Sequence, residues 1–282
     1  MSVLAVLVFC SWKVVTWTRE DVCHKEEATT LVLGNSRIQY GFDDSIIPKT
    51  FNGAAIADNY NIIYWKLKLL HKYNPQLKNV IVTCDQLLVF SYLNWVPDKI
   101  HPYYLDILTL EDWWGLVANH TGILLNPMHY FKLIFPLKSI VANVSFQDLG
   151  IGGYSPLYRE VLYEDPAYVN REKPLEEVPV MNEYNVSYLR KIHIYCQKNN
   201  LKLFFVNMPS YPTRTTIEGN QYLHKFVEEY YPDVPFFDYE LMQFPDSCYG
   251  DVSHLNYRGA KIISEKIAGD MFELHKRLDV EL

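Results

Sequence analysis

Three short runs, Leu31-Val32-Leu33, Val80-Ile81-Val82 and Leu203-Phe204-Phe205-Val206, are apolar without the polar alternation of a half-solvated strand. Segments of that length and kind fit strands buried on both faces, and such strands belong to parallel sheets covered by helices on each side. The first run stops on Gly34 and is followed by Asn35-Ser36-Arg37. A glycine there gives the chain a tight exit and places Ser36 at the carboxyl end of the strand, the edge of an open parallel sheet where ligands bind. Read in isolation, a serine after Gly-Asn is equally a helix cap or a turn residue.

The rest of the chain repeats the alternation of strand and helix. Arg37–Gly41 makes at most a short helix, Thr50–Asn52 a very short second strand, and residues 57–73 a helix whose buried stripe is Ile62, Ile63, Leu67, Leu69 and Leu70. The third strand is Asn79–Thr83. Helix 182–199 precedes strand 201–206, helix 216–231 precedes strand 234–238, and a last helix covers 256–278. Strand and helix alternating in this way imply an α/β domain, a three-layer α/β/α sandwich on a central parallel sheet of about five strands with right-handed crossovers. From about residue 86 to 180 the alternation lapses in an aromatic-rich stretch holding Trp95, Trp113 and Trp114, which reads as a mainly helical insertion, a cap or lid, within a domain of residues 30–282.

Residues 1–29 stand apart. Met1 to Trp12 is almost wholly apolar before Lys13 interrupts it, and twelve residues are too few to span a hydrocarbon core that needs about 20. With Lys13 snorkelling and Trp12 and Trp17 at the interface residues 1–17 form a short anchor; otherwise they are a hydrophobic lead-in strand. Residues 18–29 form a polar neck that reads as a tether or as a surface loop. The net charge of −7 comes without a basic stripe, which argues against nucleic acid as a partner. Five scattered cysteines with no C-x-x-C pair indicate neither a zinc ribbon nor a disulfide framework.

Chemistry enters with Asp251-Val252-Ser253-His254. An aspartate three residues before a histidine in a loop accepts from one imidazole nitrogen and leaves the other to take a proton from a hydroxyl. The loop precedes the last helix, so with the first strand near the middle of the sheet it lies on the same edge as Ser36. Cys84, at another strand end, has no neighbouring basic group to lower its pKa. Asp246 reads as a turn residue, and Arg37 as one half of a local salt bridge.

Gly34-Asn35-Ser36-Arg37 near the domain start, together with Asp251-x-x-His254-Leu255-Asn256-x-x-Gly259-Ala260 near its end, resembles the SGNH (GDSL-like) hydrolase superfamily. Within it the chain is most similar to bacterial cell-envelope members, including the D-alanine transfer protein of teichoic acids and the alginate O-acetylation proteins. The resemblance implies Ser36 as nucleophile, His254 as its base and Asp251 as the residue orienting the histidine, with no cofactor and no metal. It implies oxyanion donors at the Ser36 and Gly53 amides. Where superfamily esterases carry an asparagine after the third strand, this chain reads Thr83-Cys84-Asp85-Gln86, so that Gln86 stands in as a donor and Asp85 would repel an oxyanion. The implied function is a serine esterase or deacylase acting on an O-acylated glycan of a bacterial cell envelope. An O-acyltransferase with the same triad, or a non-catalytic partner in an envelope modification complex, fits the same residues. A flavodoxin-like binder shares the fold but leaves Asp251 and His254 without a task.

Overall fold

Five strands make one sheet, every pairing parallel, in the order β2-β1-β3-β4-β5: β1 (Thr30–Leu33), β2 (Thr50–Asn52), β3 (Asn79–Thr83), β4 (Lys202–Asn207) and β5 (Phe236–Asp238). The structure is a computed structural model and describes residues 19–90, 104, 107–119 and 151–277. The helices are α1 (Ser36–Gly41), α2 (Tyr60–Tyr73), α3 (Gln86–Phe90), α4 (Leu110–Asn119), α5 (Pro166–Val169), α6 (Glu183–Lys198), α7 (Arg214–Tyr230) and α8 (Tyr257–Arg277).

The apolar runs divide between two cores because successive side chains of a strand point to opposite faces. Leu31, Leu33, Val80, Val82, Leu203 and Phe205 pack with α2, α6 and α7 on one side. Val32, Ile81, Phe204 and Val206 pack with Ile38 of α1 and Ile263, Ile267 and Met271 of α8 on the other. This is the doubly wound sandwich the alternation implies. Its strand order reverses between β1 and β3, which puts the ligand-binding crevice of such a sheet at the carboxyl ends of those two strands.

Several element limits differ from the sequence expectation, each for a local reason. α2 begins at Tyr60 rather than at residue 57, because Ala57 has φ +56°, outside the helical region. α7 begins at Arg214 because the Thr213 side chain caps the Thr216 amide. β5 begins only at Phe236, after Pro235, which has no N–H to give to a ladder. Residues 19–29 are bound to the domain rather than left as a tether. Asn74 accepts from the Lys25 amide at 2.6 Å and donates to the Cys23 carbonyl at 2.7 Å, and Cys23 is buried.

No helix among the described residues is long and apolar enough to cross a membrane. The proposed anchor, residues 1–17, lies outside them, as do Trp95 and much of the insertion between residues 86 and 180.

Candidate active site

Ser36 is the first residue of α1, immediately beyond the end of β1. Gly34 is required by space: a Cβ there would stand 2.5 Å from Ile38 Cγ1 and 3.0 Å from Thr83 Cβ, so any side chain would drive α1 off the sheet. Asn35 caps the helix by accepting the Arg37 amide at 3.0 Å, and its Nδ2 donates to Asp85 Oδ2 at 2.8 Å across the point where strand order reverses. The serine is therefore held from both sides. Its own N–H belongs to the first turn, where no intrahelical acceptor exists.

His254 arrives from a loop 218 residues away. Ser36 Oγ and His254 Nε2 are 2.8 Å apart, and His254 Nδ1 lies 2.8 Å from Asp251 Oδ1 and 3.0 Å from Oδ2. The loop is fixed by Asn256, which caps α8 and donates through Nδ2 to the Ser247 carbonyl at 2.8 Å, and by the Gly250 amide donating to the His254 carbonyl at 2.9 Å. The Ser253 amide donates to Asp251 Oδ1 at 2.9 Å. Arg159 donates a short bond to Asp251 Oδ2 from the solvent side, with half of its side chain exposed. Tyr40 sets its ring edge-on to the imidazole, 5.3 Å between centroids.

Burial by itself drives the Asp251 carboxyl upward. The hydrogen bond and charge of His254, the Ser253 amide and the Arg159 charge outweigh it and hold the group below the usual carboxylate range. Asp251 thus stays an acceptor at neutral pH, and His254 keeps its Nδ1–H turned toward it. Nε2 is then the atom left to receive a proton from Ser36 Oγ.

One expected oxyanion donor, Gly53, needs correction. The Gly53 amide donates to the Val32 carbonyl at 2.8 Å, extending the β1–β2 ladder, and the Gly53 carbonyl accepts from Lys66 Nζ at 2.9 Å. Lys66 is itself buried against Asp58 at 2.5 Å. Gly53 is thus a structural residue with its amide already committed. Gln86, the first residue of α3, presses its carboxamide oxygen against Gly219 of α7, where an added Cβ would lie 1.7 Å from it. Asp85 is not an open charge beside the serine, since it is fully buried and accepts from Asn35, from Thr83 Oγ1 at 3.2 Å and from the Leu88 amide at 2.9 Å as the cap of α3.

Arg37 is not in a local salt bridge. Its buried guanidinium pairs with Glu240 at 2.7 Å, a partner 203 residues on, and donates to Asn207 Oδ1 at 3.2 Å and to the Met208 carbonyl. Ser210 donates to the other Glu240 oxygen. Cys84 is buried, and desolvation followed by the Asp85 charge pushes its thiol well up, away from any role as nucleophile. Asp246 takes a hydrogen bond from the Tyr163 hydroxyl at 2.7 Å in a 3-10 turn.

Sequence reasoning missed Arg159 and Glu240 as neighbours of the site, and nothing in the local sequence marks either. Asn35 carries a readable signal, an asparagine directly before a helix start. A cleft of about 510 Å³ opens beside the triad, with Arg37, Ser253 and Gln86 in its wall.

A protein-family model matches residues 167–275, fewer than half of the residues, including Asp251 and His254 but not Ser36. No curated protein sequence matches the chain. Among solved structures, a Bacteroides fragilis protein described provisionally as an acylhydrolase aligns over 89% of this chain and 90% of its own, at 9% identity and a TM-score of 0.41. That likeness is too distant to transfer residue roles.

Proposed function

We propose that the protein is a serine-dependent hydrolase of ester-linked acyl groups. The observation that carries the proposal is the continuous hydrogen-bonded line Ser36 Oγ–His254 Nε2 and His254 Nδ1–Asp251, assembled from the two ends of the domain at the carboxyl edge of the sheet.

The chemistry follows from the protons. Ser36 Oγ attacks the ester carbonyl as its proton passes to His254 Nε2, and the imidazolium that forms is stabilised by the Asp251 carboxylate. The Oγ–C bond forms and a tetrahedral oxyanion develops, with the Ser36 amide in reach as a backbone donor. Collapse breaks the bond to the alcohol, which leaves with the proton from His254. Water, deprotonated by the same nitrogen, then releases the acid and restores the serine. A sugar hydroxyl in place of that water would make the reaction an acyl transfer.

The substrate class, an O-acylated glycan of a bacterial envelope, is supported by the sequence resemblance alone, and a membrane-proximal location by the apolar character of residues 1–17. A fluorophosphonate probe tests the reaction class. Labelling of the wild type that disappears in both Ser36→Ala and His254→Ala is expected. A folded wild type that neither labels nor turns over p-nitrophenyl acetate would return the chain to the non-catalytic reading.

A further inference from the structure

The cleft of about 510 Å³ next to the triad has a wall rich in residues whose names read as polar: Arg37, Ser210, Thr213, Thr215 and Thr216. Apart from Arg37 Nε, which is buried without a partner, their polar side-chain atoms are engaged inside the protein. Arg37 and Ser210 both bond to Glu240. Thr213 and Thr216 pair through their hydroxyls at 2.6 Å, and Thr215 donates to the Lys173 carbonyl at 2.8 Å. The two other charges at the cleft are matched as well, Glu240 by Arg37 and Lys173 by Glu176 at 2.6 Å.

Leu87, Phe90, Leu175, Pro179 and Val252 add apolar wall, so that most of the lining is carbon; the polar exceptions are Asn170, whose Nδ2 donates to the Pro166 carbonyl at 2.9 Å, and Gln86 and Ser253 at the end nearest the triad. A ligand bearing a charge would find each charged side chain of the wall already paired with an opposite charge, and one rich in hydroxyls would give up water bonds for few replacements. The volume falls within the range of small-molecule sites. Position ties the cleft to the reaction. Arg37 and Ser253 in its wall are the covalent neighbours of Ser36 and His254, so a chain lying in it is attached within a few bonds of the attacked carbonyl.

From this we infer that the cleft holds an uncharged, apolar chain of the ester substrate, longer than an acetyl group. The inference rests on the serine-hydrolase reading above and adds to it a preference for a hydrocarbon substituent. The chain is carried either on the acyl side or on the alcohol side of the ester, and the two are separable by assay.

The test uses the full-length protein with two substrate series, p-nitrophenyl esters from acetate to octanoate and acetates of straight-chain alcohols from methanol to octanol. Fluorophosphonate labelling of Ser36 runs alongside. In one series kcat/KM is expected to climb about fourfold for each of the first methylenes, the factor expected when a CH₂ leaves water. The series that climbs identifies the side that carries the chain. Gly219→Leu, which fills the cleft where only a flexible Gln86 end must give way, is expected to flatten the climb. Leu87→Asp, at a half-exposed position where folding is insensitive, is expected to do the same by placing a charge in the wall. Labelling of Ser36 with a flat response in both series overturns the cleft assignment while leaving the serine reading standing. A climb that survives in folded Leu87→Asp and Gly219→Leu also overturns it. Absence of labelling overturns both.

Discussion

Replacing Asp251 with asparagine tests the histidine's proton arrangement more sharply than deleting the side chain. Two donors besides the imidazole address the carboxylate, the Ser253 amide at Oδ1 and the Arg159 guanidinium at Oδ2. An asparagine has one oxygen and must choose between them. The charged donor makes the stronger bond, by about 1 kcal/mol over a neutral amide. The oxygen therefore turns to Arg159, and the NH₂ takes the Oδ1 position, 2.8 Å from His254 Nδ1. There the NH₂ is the nearer of the two groups to Nδ1, the oxygen at the Oδ2 position being 3.0 Å away, and it favours the tautomer in which Nδ1 accepts, Nε2 carries the proton and nothing receives the Ser36 proton. A tautomer reversal of this kind costs on the order of 10⁴ in kcat, about 5 kcal/mol of transition-state stabilisation.

The same geometry makes a second-site rescue expected. Removing the competing donor with Arg159→Leu in the Asp251→Asn background lets the Ser253 amide draw the oxygen back to the Oδ1 position, where Nδ1–H can donate to it. Half of the Arg159 side chain is in solvent, which discounts its advantage, so the double variant should recover roughly three- to fivefold over the single one. Arg159→Leu alone should leave activity at neutral pH close to that of the wild type, since the hydrogen bond and charge of His254 and the Ser253 amide contribute more than Arg159 to holding the Asp251 carboxyl down. The assay is the rate of fluorophosphonate labelling or of p-nitrophenyl acetate turnover at neutral pH. The reasoning fails if Asp251→Asn loses less than about tenfold, or if adding Arg159→Leu to it lowers the rate further.

Glu240→Gln should cost about 3–5 kcal/mol in urea unfolding, because it strands the buried Arg37 charge, whereas Arg37→Met combined with Glu240→Leu should cost far less; equal losses would contradict the buried-pair account. The Asp251 carboxyl is depressed in the folded chain, so its contribution to stability is present above the ordinary carboxylate value and lost as pH falls through the lowered folded value. Thermal melts between pH 6 and pH 2 should show Asp251→Asn losing less stability on acidification than the wild type, and parallel curves would count against it. Gly152→Ala meets a φ of +89° and an Ala54 carbonyl oxygen 2.0 Å from the new Cβ; it should destabilise the chain by more than about 1 kcal/mol and speed proteolysis near residues 151–155, and an unchanged melting temperature would refute the close approach.

How much of this was legible in the sequence follows from which interactions are local. The strands were readable because burial on both faces leaves an uninterrupted apolar run, and Asn79–Thr83 matches its expected limits residue for residue. The β1 exit was readable because only glycine tolerates Ile38 and Thr83 at that distance. Asp251 and His254 are three residues apart, so their hydrogen bond is within reach of a pattern. Helix starts were less secure, since a threonine cap at residue 213 and a left-handed Ala57 act through backbone geometry that composition does not record.

Long-range pairing was decided by the tertiary structure alone. Nothing near Arg37 names Glu240 as its partner, and nothing near Arg159 places it on Asp251; both pairs form because the parallel sheet collects loops from distant segments at one edge. The same holds for what polar side chains do. Gly53, expected as an oxyanion donor, gives its amide to Val32, and the threonines of the cleft wall engage one another and the Lys173 carbonyl. A sequence fixes which groups can donate, accept or ionise; only their neighbours in space decide which of them remain free to meet a substrate.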